Sequence, residues 1–187
     1  MEEAVAEAAR LAGTAVGRHM PAMIVLRTRL VLLLSVLVAA GALGVAAVWE
    51  SYGLVPCALC LVERWPYWAI VAVGLLGLVL PRPVARVCVH LLVPIGLAAA
   101  AAALVHVGVE QAWWPSPLPE CAASGFSGGT VAERLARMPA LPSKPCDDPT
   151  YLIPGMPVSM AAMNFVVALA FAAALATFLW QTRRSGT

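Results

Sequence analysis

Two cysteines separated by two residues, Cys57 and Cys60, are the side chains in this sequence whose spacing is best suited to chemistry. A disulfide between such close cysteines closes a very small loop, so it removes little entropy from the unfolded chain. The same spacing can lower a thiol pKa and is typical of pairs that exchange disulfides. We therefore expect a redox-active pair, with a purely structural bridge as the alternative.

Three polar residues could assist this pair. Arg64 follows one helical turn after Cys60, where its charge would stabilise a thiolate or a reduced anionic cofactor. An arginine that extends to the membrane surface, or that pairs with Glu63, is the alternative. His106 and Glu110 are also one helical turn apart, and we expect them to face the same pocket, where His106 could give or take a proton. Ordinary polar residues at a membrane surface explain His106 and Glu110 equally well.

The remaining cysteines are farther apart. Cys121 and Cys146 lie in a segment rich in Pro, Gly and Ser, and by themselves they are best explained as a structural bridge. Zinc or copper could bind four cysteines, but structural zinc sites usually combine two close pairs. A c-type haem needs a histidine directly after the second cysteine of the pair, where this sequence has Leu61. We predict no metal site, and we expect Cys88 to be a small apolar residue of the core.

These residues are set in a chain that is 61% hydrophobic and 12% charged. Soluble domains are about half apolar and about a quarter charged, so the lipid bilayer is the relevant solvent. Crossing it takes about 20 predominantly apolar residues. The sequence predicts an all-α membrane protein, a four-transmembrane-helix bundle with spans at about 30–49, 62–80, 87–109 and 157–181. The net charge of +2 gives no indication of nucleic-acid binding.

The second span is the shortest of the four. Its uncharged part begins at Trp65 and, at about 1.5 Å per residue, does not reach across about 30 Å of hydrocarbon. It must therefore include residues before Trp65, and these contain Arg64 and the cysteine pair. We expect the pair at the membrane edge, between a partner in water and a molecule dissolved in lipid.

The arginines predict the orientation, because short cytoplasmic flanks carry an excess of Lys and Arg. If the chain crosses four times, one side receives most of them: Arg10, Arg18, Arg27, Arg29, Arg82, Arg86, Arg183 and Arg184. We expect a cytoplasmic extension at 1–27, a membrane domain at 28–182 and a cytoplasmic tail at 183–187. Both termini would be cytoplasmic, and the cysteine pair and one long periplasmic loop, 111–155, would face outward.

The outward loop has two further features. Thr130 followed by Glu133 matches a helix-capping box and predicts a short helix over 130–138, which could lie on the membrane surface. Trp113 and Trp114 directly follow the third span and suit the interface between lipid and water.

Several of these motifs occur together in an order that resembles the DsbB family of bacterial inner-membrane disulfide oxidases. The resemblance covers roughly residues 28–182. It rests on the segments Pro56-Cys57-Ala58-Leu59-Cys60 with Glu63-Arg64, Trp114-Pro115-Ser116-Pro117 before Cys121, Cys146 in the same loop, and Gly155-Met156-Pro157 before the last span.

The resemblance implies a route for electrons and a location in the bacterial inner membrane, with the active cysteines on the periplasmic side. A thioredoxin-fold protein of the DsbA type would reduce the Cys121–Cys146 disulfide, and the Cys57–Cys60 disulfide would reoxidise the loop pair. Cys60 would pass the electrons to a membrane quinone, which would be ubiquinone or alternatively menaquinone. The residues that we expect to contact the quinone are Cys60, Arg64, His106 and Glu110.

Three other classes of protein remain as alternatives. A vitamin K epoxide reductase-like enzyme is also a quinone-linked four-helix bundle, but its cysteine pair lies on a late helix, whereas this pair precedes the second span. The others are a metal-binding or transport membrane protein and a structural protein with two static disulfides.

Overall fold

The computed structural model of the chain describes residues 2–121, 130–136, 144–152, 155 and 157–184, without the side chains of 2–25 and 134–136. Six α-helices occur in these ranges: α1 (Glu2–Ser51), α2 (Ala58–Val62), α3 (Arg64–Val79), α4 (Arg82–Glu110), α5 (Val131–Ala136) and α6 (Met160–Arg184). A 3₁₀ turn, Pro119–Cys121, follows α4, and an isolated β-bridge pairs Tyr151 with Ser159. Within the described ranges no residue belongs to a β-strand.

Four segments are long and apolar enough to cross a membrane: Leu26–Ser51, Ala58–Val79, Arg82–Glu110 and Met160–Arg184. The prediction of an all-α protein with four transmembrane helices is confirmed. The cytoplasmic placement of both termini and the three-part division of the chain stay predictions. Met138 of the predicted loop helix, Met156 before the last span and residues 185–187 of the predicted tail lie outside the described residues.

The second span begins directly after Cys57 and combines α2 with α3. The two helices join at Glu63, whose backbone N–H donates to the carbonyl oxygen of Leu59 at 3.0 Å. The span therefore starts well before Trp65, in agreement with the length argument from the sequence. Cys60 lies in its first turn, so the cysteine pair sits at one end of the bundle.

Close packing around a glycine holds α1, α3 and α4 together. Extensive contacts join α1 to α3, α3 to α4 and α4 to α6. A Cβ atom on Gly77 would lie only 2.9 Å from the Cβ of Cys88 on α4 and 2.9 Å from Cδ1 of Leu32 on α1. Glycine is required because carbon atoms do not pack that closely, and small residues of this kind let membrane helices approach each other. Cys88 is buried in the same core, among apolar side chains.

Arg29 on α1 binds the C-terminal end of α3. Its guanidinium donates to the carbonyl oxygens of Gly77 at 3.1 Å and Leu80 at 2.9 Å. The last carbonyl groups of a helix lack partners within the helix and carry partial negative charge. Arg29 satisfies them and ties α1 to α3 at the end of the bundle farthest from Cys57.

The outer surface of the bundle is apolar. In the most apolar stretch of each span, only 17% to 39% of the residues are buried inside the bundle. Large side chains that remain exposed include Leu37, Leu76, Val87 and Val166. Such a surface would drive aggregation in water, whereas in a bilayer lipid chains cover it.

Trp114 attaches the start of the loop to α4. Its indole N–H donates to the carbonyl oxygen of Val105 at 3.1 Å, and its ring lies on Gly108, where a Cβ atom would be 2.0 Å from a ring carbon. The rings of Trp113 and Trp114 pack edge to face with centroids 5.7 Å apart. Both side chains remain exposed, as residues at a lipid–water interface are.

The predicted capping box at the start of α5 is confirmed. The backbone N–H of Thr130 donates to Oε2 of Glu133 at 2.8 Å, and the N–H of Glu133 donates to Oγ1 of Thr130 at 3.4 Å. These reciprocal bonds satisfy two N–H groups that the helix itself leaves without partners.

Candidate active site

Four helix termini meet at one end of the bundle, which we call the cysteine end and define by Cys57, Cys60, His106 and Asn164. The C-terminal ends of α1 and α4 lie there beside the N-terminal ends of α2 and α6, because successive spans run antiparallel. Side chains that are far apart in the sequence therefore come into contact.

Cys57 is the N-cap residue of α2. Its backbone is extended, with φ −76° and ψ 167°, and its Sγ accepts a hydrogen bond from the backbone N–H of Cys60 at 3.1 Å. A hydrogen bond from the Cys60 side chain lowers the pKa of the Cys57 thiol, although burial acts in the opposite direction. Helix N-termini also favour negative charge. Both cysteines are free thiols in the structure, and Cys57 is well placed to be the thiolate.

His106 on α4 links Cys57 to a buried carboxylate. Its Nε2 lies 3.5 Å from Sγ of Cys57, and its Nδ1 lies 2.6 Å from Oε1 of Glu63. Both His106 and Glu63 are buried. A carboxylate only accepts hydrogen bonds, so Nδ1 carries the hydrogen and Nε2 of the neutral ring is an acceptor that faces Cys57. The imidazole can therefore take a proton from Cys57 while Glu63 stabilises the resulting cation.

Asn164 binds the second oxygen of this carboxylate, and Tyr67 in turn binds Asn164. The side-chain amide of Asn164 on α6 donates to Oε2 of Glu63, and the hydroxyl of Tyr67 on α3 donates to Oδ1 of Asn164. Among the described residues, no buried side-chain nitrogen or oxygen lacks a partner. Because a buried charge is costly unless it is paired and hydrogen-bonded, this network fixes the orientation of Glu63 and thereby of His106.

Arg64 binds a residue that the sequence did not indicate. Its guanidinium forms an ion pair with Glu50 at the end of α1, not with Glu63. The side chains of Arg64 and Glu50 are 25% and 33% exposed, so the pair is only partly shielded from solvent. Both residues line the same cavity as Cys60.

Glu110 lies one helical turn beyond His106 but has a different role in the structure. It accepts a hydrogen bond from the hydroxyl of Ser159, whose Oγ in turn accepts one from the backbone N–H of Ala162 at 3.2 Å. These contacts join the C-terminal end of α4 to the N-terminal end of α6. His106 lines the cavity, whereas Glu110 reaches the α4–α6 junction beside it, so its predicted contact with a cofactor stays a prediction.

A cavity of about 340 Å³ lies between α1 and α6 at the cysteine end. Its polar side chains are few. Thr150 comes from the loop, and the other seven come from all four spans: Glu50, Cys60, Glu63, Arg64, Tyr67, His106 and Asn164. Most of the remaining wall is apolar, and three of its residues, Val38, Val45 and Val167, are partly exposed on the outer surface of the bundle. A cavity of this kind suits a small amphipathic molecule that arrives from the lipid phase.

The second cysteine pair packs against the first. Cys121 and Cys146 form a disulfide with a Cα–Cα distance of 4.9 Å. Both are buried in one cluster with Cys57, Leu59 and Val109, and Cys60 packs at its edge. Cys57 thus lies on the side of the loop disulfide, while Cys60 lines the cavity.

Glu63, Tyr67 and Asn164 are the site residues that sequence reasoning missed as functional candidates. A signal for Asn164 was present, since a polar side chain within an apolar span usually has an internal partner. Glu63 and Tyr67 are one helical turn apart, which places them on one face of the second span. Their common partner on α6 could not be derived from spacing.

Residues 28–178 match the family model described as Disulfide bond formation protein DsbB. The match contains both cysteine pairs, His106 and the network around Glu63. In the comparisons with curated proteins and with solved structures, no protein matches.

Proposed function

Because the chain belongs to the DsbB family of disulfide bond formation proteins, we propose that it oxidises a DsbA-like thioredoxin-fold protein and passes the electrons to a membrane quinone. The reaction would occur at the periplasmic face of the bacterial inner membrane, in line with the arginine distribution. The family match favours this function over a metal-binding protein or one with two static disulfides.

One observation carries the proposal: the two cysteines of the first pair face different surroundings. Cys57 packs in the same buried cluster as the Cys121–Cys146 disulfide, whereas Cys60 lines the mostly apolar cavity between α1 and α6. A redox pair placed in this way can receive electrons on one side and release them on the other.

The first half of the reaction is thiol exchange at the loop. A thiolate of the partner attacks Cys121, forms a mixed disulfide and releases Cys146 as a thiolate. The second thiolate of the partner then displaces Cys121, so the partner leaves oxidised and the loop pair is reduced. Two electrons and two protons have moved from the partner to the loop.

The second exchange restores the loop disulfide. Cys146 attacks Cys57 of the Cys57–Cys60 disulfide and releases Cys60, and Cys121 then attacks Cys146 and releases Cys57. The packing of Cys57 with Cys121 and Cys146 supports this order of attack. The leaving thiolate of Cys57 is stabilised by the N–H of Cys60, and His106 supplies or takes its proton.

The cavity fits a quinone in chemistry as well as in position. A bound quinone accepts two electrons and two protons as the Cys57–Cys60 disulfide forms again. Cys60 faces the cavity as the electron donor, and the Nε2 of His106 holds the proton of Cys57. Arg64 lines the wall in an ion pair with Glu50, and the remaining N–H groups of its guanidinium favour an electron-rich oxygen nearby. Since DsbA is a strong oxidant at about −120 mV, its reoxidation requires an acceptor of high potential such as ubiquinone.

The test is turnover of purified protein in lipid nanodiscs with a reduced DsbA-type protein and a short-chain ubiquinone. We expect quinone absorbance and partner thiols to fall together, and Cys60→Ser to abolish quinone reduction. Cys88→Ser is the matched control because Cys88 lies in the apolar core. A Cys60→Ser protein that turns over at the original rate would exclude the mechanism, and parallel reactions with a menaquinone analogue decide between the quinone types.

A further inference from the structure

Three potential metal ligands meet at the cysteine end. The Sγ atoms of Cys57 and Cys60 and a ring nitrogen of His106 all lie within 4.8 Å of one another. Two of the ligands are close neighbours in the sequence at the start of α2, and the third comes from α4. This set differs from the four cysteines considered from the sequence, because His106 replaces the loop pair.

The distance between Sγ of Cys57 and Nε2 of His106 matches tetrahedral coordination of zinc. With Zn–S near 2.3 Å and Zn–N near 2.0–2.1 Å, tetrahedral angles place sulfur and nitrogen about 3.5–3.6 Å apart. Sγ of Cys57 and Nε2 of His106 are 3.5 Å apart. The ion would need little movement of this pair to bind both atoms.

The surroundings also prepare His106 to act as a ligand. Its Nδ1 is bound to the carboxylate of Glu63 at 2.6 Å, so Nε2 is the nitrogen that faces the sulfur atoms. Metal-bound histidines almost always donate their second ring N–H to a carboxylate or carbonyl, which fixes the ring and raises its basicity. Asn164 holds Glu63 in turn.

The charge balance is favourable for a partly buried site. Two thiolates neutralise a divalent cation, so the occupied centre adds no net charge to a region of low dielectric. The backbone N–H of Cys60 already donates to Sγ of Cys57 at 3.1 Å and would support the thiolate. The cavity lined by Cys60 and His106 can supply a water molecule as the fourth ligand.

The geometry points to a binding site for zinc, or a comparable thiophilic divalent cation, formed by Cys57, Cys60 and His106 when the cysteine pair is reduced. Binding replaces the two thiol protons by two metal–sulfur bonds and involves no change of oxidation state. Formation of the Cys57–Cys60 disulfide removes both sulfur ligands, so the site exists only in the reduced protein. If the proposed function is correct, zinc also competes with reoxidation of the pair.

Metal binding can be tested without quinone or partner. The variant with Cys121→Ser and Cys146→Ser removes the loop thiols, and Co²⁺ then serves as the probe for the reduced protein in detergent. We expect one equivalent of Co²⁺ with the visible d–d spectrum of a tetrahedral sulfur-ligated ion, displaced by Zn²⁺ and insensitive to Mg²⁺. Protein with the Cys57–Cys60 disulfide should bind none.

Further variants in the same background identify the ligands. Cys60→Ser and His106→Ala should each abolish the tetrahedral spectrum, and Glu63→Gln should weaken binding by about 10–100-fold through the loss of the carboxylate on His106. His90→Ala and Cys88→Ser are the matched controls and should bind normally. Circular dichroism separates loss of a ligand from loss of the fold, and the Cys60→Ser result stands even if His106→Ala does not fold.

Two outcomes would overturn the proposal. One is cobalt uptake that is unchanged in folded Cys60→Ser or His106→Ala protein, and the other is equal uptake by the oxidised protein. Turnover with quinone in metal-free buffer tests the proposed function separately, because the cobalt-binding result and the turnover result do not depend on each other. Zinc inhibition of turnover that a chelator reverses, and that is stronger in protein with Glu63 than in Glu63→Gln, would support competition between zinc binding and reoxidation of the cysteine pair.

Discussion

The two ends of the helix bundle are built from similar residues but organise them differently. The cysteine end contains a buried network in which Cys57, His106, Glu63 and Asn164 bind one another across three spans. The opposite end, which we call the arginine end, has a cavity of about 260 Å³ lined by Thr28, Arg86, Val89, His90, Phe178, Leu179, Thr182 and Arg183. At the arginine end Arg29 binds the last carbonyl groups of α3, whereas at the cysteine end His106 contacts a thiol.

The two histidines of α4 illustrate the difference. His90 is exposed, and its Nδ1 lies 2.8 Å from the carbonyl oxygen of Arg86, one turn earlier on the same helix. His106 is buried and has partners from two other segments, Cys57 and Glu63. The same residue type on the same helix therefore acquires a chemical role only through partners that the fold brings to it.

Among the variants that compare the two ends, we expect the largest effect from His106→Ala. Loss of the proton acceptor beside Cys57 should lower the rate of quinone reduction by about 10²–10⁴-fold, the usual contribution of general acid–base catalysis. His90→Ala removes the same side chain at the arginine end and should leave the rate unchanged. Single-turnover reduction of quinone by prereduced protein measures both, and equal losses in the two variants would break the proposed distinction between the ends.

The sequence predicted the membrane fold well because three of the four spans contain an uncharged apolar segment of sufficient length. Length also required the second span to begin before Trp65; the sequence placed it at about 62–80, and the structure has it begin at Ala58. These properties are local, and they follow from the thickness of a bilayer.

The partners of the polar residues could not be predicted in the same way. Arg64 binds Glu50 of the first span, and Glu63 binds His106 of α4 and Asn164 of α6. Which of several carboxylates meets which cation depends on how the helices rotate against each other. Small residues such as Gly77 set that rotation, which cannot be derived from the spacing of residues along one helix.

Packing at the arginine end should affect stability rather than chemistry. Gly77→Ala places a methyl group 2.9 Å from the Cβ of Cys88, so we expect overpacking to cost about 1–3 kcal/mol in the free energy of unfolding. Gly41→Ala is the matched control, because a Cβ on Gly41 meets no atom within 4 Å. Thermal unfolding in detergent measures the loss, and a lowered quinone rate per folded molecule in Gly77→Ala would show that the ends are coupled.

A smaller effect is expected from Arg64→Ala. A partly exposed ion pair contributes about 0.2–1 kcal/mol, so stability should change little. Loss of the guanidinium leaves Glu50 without its partner at the cavity wall, so the KM for quinone should rise by up to about fivefold, equivalent to about 1 kcal/mol. Reduction of the loop disulfide by the partner should keep its rate. Arg86→Ala at the arginine end is the control, and a higher KM there would argue for a general effect of charge on the membrane protein.

The smallest expected effect is on the titration of Cys57. The hydrogen bond from the Cys60 side chain lowers the pKa of the Cys57 thiol, so Cys60→Ala should raise that pKa and move the midpoint of thiolate absorbance to higher pH. Because the pKa is lowered in the folded protein, the associated stabilisation is present above the pKa of the unfolded thiol and is lost as pH falls through the folded pKa. Protein carrying Cys121→Ser and Cys146→Ser isolates the signal, and Cys88→Ala in that background corrects for the remaining thiol. A midpoint that stays in place would assign the lowered pKa to the N-terminus of α2 rather than to Cys60, and the chemical asymmetry of the pair would then arise from the helix alone.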